Sequence, residues 1–80
     1  MTLTIHSRLQ DIFRDVFDDD VLTILRATHA GDIPNWDSLA QISLVVAIEK
    51  EFGITLSLEE MAGLKDVSNM LDLIQRKLGV

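Results

Sequence analysis

Apolar positions recur at helical spacing in three long stretches and one short one. Over residues 4–17, Ile5, Leu9, Ile12, Phe13, Val16 and Phe17 are spaced by threes and fours. Arg8, Asp11, Arg14 and Asp15 lie elsewhere on the wheel. The pattern predicts a helix with one buried face. Thr2 or Thr4 is its expected N-cap. Asp18, Asp19 and Asp20 follow. Acids oppose the negative end of a helix dipole, so this run predicts a stop. A long connection then runs to about Trp36. Its Val21, Leu22, Ile24 and Leu25 are expected to pin it onto the core. Connections of this length are uncommon and often functional.

The second helix is expected over residues 38–52. Asp37 or Ser38 suits its N-cap, and Ser38 with Gln41 has capping-box spacing. Gly53 is placed to terminate it. A short third helix is expected over residues 58–64, capped by Ser57, with Glu59 and Glu60 in its first turn. The last helix should begin after Asp66 and end before Gly79, burying Val67, Met70, Leu71, Ile74 and Leu78. Arg76 and Lys77 fall in its last turn, where cations favour the dipole. The segment Ile54-Thr55-Leu56 is strand-like but too short to count. The expected fold is all-α, with three main helices, one short third helix and a long first loop, in a single domain over residues 1–80.

The second helix carries two apolar stripes. At about 100° per residue, Leu44, Val45, Ile48 and Phe52 share one side, and Leu39, Ile42 and Val46 share another, roughly opposite. A helix in a small bundle needs one buried stripe. The other is either covered by the long loop or exposed for a partner. It begins one residue after Ser38, which favours a docking surface.

Composition narrows the chemistry. At 80 residues and 48% apolar, the chain supports one core. It has no cysteine, so any thiol chemistry must come from something attached. The net charge of −6 disfavours nucleic acid and anionic membranes, and points to partners with basic surfaces. No apolar stretch is long enough to span a bilayer, and no secretory pattern opens the chain, so a cytoplasmic protein is expected. The acidic run lacks the spaced ligands, glycine and distal glutamate of a calcium loop. His6 and His29 stand apart from other ligand types and read as surface residues; no metal site is expected. No nucleophile–base pair, metal cluster or phosphate-cradling glycine loop marks an enzyme.

One segment carries a specific signal. Ile33-Pro34-Asn35-Trp36-Asp37-Ser38-Leu39 resembles the attachment segment of the acyl and peptidyl carrier family. Ile48-Glu49-Lys50-Glu51-Phe52-Gly53-Ile54 is similar to the end of that family's second helix, and the stripe from Val67 to Leu78 to its fourth. Together the resemblances cover nearly the whole chain in order. They imply a four-helix bundle whose Ser38 bears a covalent 4'-phosphopantetheine, with Asp37 assisting the metal during transfer. Acyl or aminoacyl groups would ride on that arm as thioesters, in a fatty-acid-like, polyketide or other specialised pathway of lipid metabolism. The implied partners are a phosphopantetheinyl transferase, an acyl-loading ligase or adenylating enzyme, and the enzymes that process the cargo. Leu39, Ile42 and Val46, with Glu49 at the edge, would dock them. Leu44, Ile48, Leu56, Met61, Leu64 and Met70 would line a space for the acyl chain, although Met61 and Met70 also read simply as core. The resemblance further implies a monomer.

Physical chemistry agrees with Ser38. A phosphodiester there would meet free N–H groups and the positive end of a helix dipole. Where many fatty-acid carriers have acids after the serine, this chain has Ala40, Gln41 and Ser43, and Lys50 interrupts Glu49 and Glu51. Its docking face is therefore less acidic, and the Trp before Asp-Ser-Leu resembles carriers of specialised pathways. Trp36 itself reads as a loop anchor. The competing reading is an arm-less helical interaction or regulatory domain, with Ser38 only a helix cap.

Overall fold

A computed structural model describes residues 4–79. Four helices appear in order: α1 (Ile5–Val16), α2 (Ser38–Phe52), α3 (Leu58–Ala62) and α4 (Val67–Leu78), with a single 3₁₀ turn at Ala30–Asp32 in the first loop. Among the described residues there is no strand, only an isolated bridge between His29 and Asp66. The all-α bundle with a short third helix and a long first loop is therefore observed.

Each boundary has a local cause. Thr4 caps α1 by accepting from the Ser7 N–H; the alternative cap, Thr2, lies outside the described residues. The helix stops at Val16, and Asp18 takes a left-handed φ of 49°. Asp tolerates that conformation better than most side chains. Ser57 and Glu60 form a reciprocal capping box on α3. That helix ends at Ala62, two residues short of expectation, because the next N–H groups leave the i−4 pattern: Leu64 donates to the Met61 carbonyl and Lys65 to the Gly63 carbonyl. Asp66 caps α4, and Gly79 closes it with φ 77°.

α1 packs against both α2 and α4. The core joins Leu9, Ile12 and Phe13 of α1 to Leu44, Val45, Ile48 and Phe52 of α2 and to Val67, Met70, Leu71, Leu73 and Ile74 of α4. Leu78 was expected in the α4 stripe but is exposed, and Leu73 is buried instead. α4 is thus embraced over a wider arc than one stripe, since the first loop also lies against its start.

The first loop is held by polar bonds as much as by apolar contact. His6, Gln10 and Arg14 stand four apart on α1 and face it together. His6 Nε2 lies 2.8 Å from the Ile24 carbonyl, Gln10 Oε1 accepts from the Ile24 N–H, and Arg14 Nε donates to the Leu22 carbonyl. His6 is therefore half-buried rather than a surface residue. His29, exposed as expected, also caps the 3₁₀ turn through Nδ1. Ile24 is fully buried and Leu22 partly so, whereas Val21 and Leu25 face solvent. The expected pinning is thus carried by half of the four residues, because the extended backbone turns alternate side chains outward. Farther along, Thr28 and Arg26 carbonyls accept from Val67 and Ser68 N–H groups at the start of α4.

Candidate functional site

The end of the first loop delivers the site. Ile33 and Trp36 are buried. The Trp36 ring meets Phe13 edge-on, with centroids 5.2 Å apart and planes at 80°, and lies 6.2 Å from Phe17. Its indole Nε1 donates to Gln41 Oε1 at 2.7 Å. Trp36 is thus the expected anchor, and it fixes the backbone two residues before Ser38.

Asp37, not Ser38, is the N-cap of α2: its Oδ1 accepts from the Ala40 N–H at 2.9 Å. The capping box expected between Ser38 and Gln41 does not form. Gln41 is instead drawn sideways, accepting from Trp36 and donating Nε2 to the Leu64 carbonyl at 3.1 Å. Ser38 is therefore the first helical residue, exposed and relieved of capping duty. The helix start offers orphan N–H groups and a partial positive charge to an anion on its hydroxyl. Around it lies a shallow depression lined by Ala30, Trp36, Asp37, Ser38, Gln41 and Ile42.

The two stripes of α2 separate cleanly. Leu44, Val45, Ile48 and Phe52 are in the core. Leu39, Ile42 and Val46 are 75%, 60% and 44% exposed, so the first loop does not cover the second stripe. Glu49 is half-buried at its edge, with Oε2 accepting from the Leu56 N–H at 2.9 Å. Leu44, Ile48, Leu56, Leu64 and Met70 are buried in one cluster, and Met61 packs against it half-exposed. The residue missed from sequence is Gln41. Its signal was its place on the wheel, since it continues the Leu44, Val45, Ile48 stripe one turn toward Ser38.

Among the described residues no group of three or more His, Cys, Asp or Glu could hold a metal ion. No helix there is long and apolar enough to cross a membrane.

Comparison with known proteins meets this geometry. Residues 36–74, from the loop anchor into α4, match the family described as the phosphopantetheine attachment site. That defines a domain class built to bear a covalent arm. The chain is 38% identical over 63 residues to the acyl carrier protein of Petrotoga mobilis, covering 79% of this chain and 72% of that protein. It is 28% identical over 72 residues to polyketide-8 synthase acyl carrier protein 2 of Streptomyces avermitilis, covering 90% and 83%. The solution structure of holo acyl carrier protein from Geobacter metallireducens superposes with a TM-score of 0.83 at 44% identity, over 89% of this chain and 82% of that one.

The chain belongs to the acyl carrier protein family. It is a carrier rather than an enzyme, its cofactor is covalent 4'-phosphopantetheine, and it works with enzymes that process what it carries.

Proposed function

We propose that Ser38 bears the arm and that acyl or aminoacyl groups are held on it as thioesters. The observation that carries this reading is an exposed serine hydroxyl at the first position of α2, with the cap supplied by its neighbour Asp37. The N–H groups of that first turn favour a phosphodiester on the Ser38 oxygen. Asp37 is exposed and uses Oδ1 for the cap, which leaves Oδ2 to approach the metal of the transferase. The test is intact-protein mass after incubation with coenzyme A, magnesium and a broad-specificity phosphopantetheinyl transferase. The parent is expected to gain one phosphopantetheine, and Ser38→Ala none. Modification of the Ser38→Ala chain would place the arm elsewhere.

The partners proposed are that transferase, an acyl-loading ligase or adenylating enzyme, and cargo-processing enzymes of a fatty-acid-like or polyketide pathway, acting on a monomer in the cytoplasm. The polyketide-synthase relative and the weakly acidic α2 face support the specialised branch. Leu39, Ile42 and Val46 form the docking stripe, with Glu49 at its edge. Their exposure beside Ser38 supports this, because an enzyme that reaches the arm must approach that end of α2. The cluster of Leu44, Ile48, Leu56, Met61, Leu64 and Met70 is the proposed shelter for an acyl chain, a reading supported by Leu44 and Ile48 lying on the buried stripe of the helix that Ser38 begins.

A further inference from the structure

The inner stripe of α2 begins with a polar residue. Gln41 lies three residues after Ser38 and one turn before the fully buried Leu44. Its side-chain amide is used at both ends: Oε1 accepts from the Trp36 indole at 2.7 Å and Nε2 donates to the Leu64 carbonyl at 3.1 Å. One amide therefore ties together the end of the first loop, the first turn of α2 and the connection from α3 to α4. Trp36 and Leu64 are themselves 9% and 6% exposed. The bridge closes the bundle at the end where Ser38 stands, and one turn further along α2 the buried stripe begins with Leu44, which shares the core with Ile48, Leu64 and Met70.

We propose that Gln41 is a gate that sets how long an acyl chain must be before the core admits it. This rests on the reading of Ser38 as the arm-bearing residue. A chain turning inward from Ser38 meets the amide before it meets Leu44. To pass, it must break two hydrogen bonds and leave an indole N–H and a carbonyl desolvated. One net hydrogen bond is of about the same magnitude as one or two buried methylenes, and stranded polar groups add to the cost. Short cargoes therefore stay outside on the arm. Longer ones bury enough methylenes to displace the amide. Gln41 acts as a specificity-determining residue through its hold on Trp36 and Leu64.

The absence of cysteine from the chain supplies a test that does not depend on any transferase. Ser38→Cys is alkylated with iodoacetamides that carry a pantetheine-length spacer and tails running from acetyl to decanoyl; the thiolate displaces iodide, and mass confirms one adduct. The Trp36 indole N–H and the methyl resonances of Leu44, Leu64 and Met70 are followed by NMR. With short tails all four are expected to stay at their unmodified positions. Beyond a threshold length all are expected to move together. In Gln41→Met, which keeps the volume but not the bonds, and in Gln41→Ala, the threshold is expected to fall by at least one step of the series. A threshold unchanged in the variants would overturn the gate. So would core methyls that move while the indole stays, or no movement at any length. Gln41→Met keeps the test alive should Gln41→Ala fail to fold. Failure of the transferase experiment on the parent would overturn the Ser38 reading instead, and is read separately by mass.

Discussion

Two adjacent residues divide tasks that a helix N-terminus often gives to one. Asp37 satisfies the Ala40 N–H, so the Ser38 hydroxyl projects from the first turn without a structural obligation. Capping and proposed metal assistance by Asp37 are separable, because a neutral amide caps as well as a carboxylate. Asp37→Ala is expected to cost about 1 kcal/mol in a denaturant titration. Asp37→Asn is expected to leave that stability nearly unchanged while slowing phosphopantetheine transfer, measured as the initial rate of mass gain. Equal rates for parent and Asp37→Asn would remove the carboxylate from the transfer step. At the other end of α2, Gly53 has φ 64°, and nothing lies within 4 Å of where a Cβ would sit. Gly53→Ala is therefore expected to cost only the conformational penalty, about 1–2 kcal/mol, with no change in modification at Ser38.

At the scale of elements, helix length and helix stability part company. A helix as short as α3 (Leu58–Ala62) is not stable alone. Its capping box and an ion pair hold it in place. The Ser57 N–H donating to Glu60 Oε1, followed by the Lys77 ammonium 2.9 Å away on α4, holds the Glu60 carboxyl below its ordinary range. A lowered pKa in the folded state means stability that is whole above the ordinary glutamate value and lost as pH falls through the lowered one. The protection of the α3 amides, taken relative to their intrinsic exchange at each pH, is expected to fall over that acidic window in the parent. Glu60→Gln is expected to flatten this dependence. A second bond set ties α1 to α2: Arg8 donates to the Glu51 carboxylate and carbonyl, and its guanidinium lies 4.4 Å from the Phe52 ring centroid. A cation there also meets the negative end of the α2 dipole. The same helix thus receives a cation at its last turn and, on the reading above, an anion at its first.

For the whole molecule, one face of α2 is buried in the core and the other, the proposed docking stripe, is exposed. Phe13 is fully buried, packs on Phe17 and Trp36, and supports both the core and the loop that leads to Ser38. Phe13→Ala is expected to cost about 3–5 kcal/mol and to slow modification by loosening Trp36. Ile42 is 60% exposed. Ile42→Asp is expected to change stability by less than about 0.5 kcal/mol, while weakening turnover by cargo-processing enzymes. Unaltered turnover with every partner would move docking to another surface. Among the described residues no buried side-chain nitrogen or oxygen lacks a partner, so the polar bonds that hold the first loop cost the fold little.

Periodicity located the four helices, because each amphipathic stripe is a local property of its segment, although it overran the end of α3 by two residues. Caps such as Ser57, Asp66 and Gly53 were equally legible, since they act within a few residues of themselves. The carrier family was legible because the residues of the motif that resembles it, Trp36, Asp37 and Ser38, are adjacent in sequence. Tertiary structure decided the rest. Which stripe of α2 is covered depends on where the first loop runs. That path is set by His6, Gln10 and Arg14 reaching the backbone at Leu22 and Ile24. Gln41 looked like half of a capping box, and only the nearness of Trp36 and Leu64 made it a bridge. Side chains with several donors and acceptors choose partners by proximity in space, which spacing along the chain does not encode.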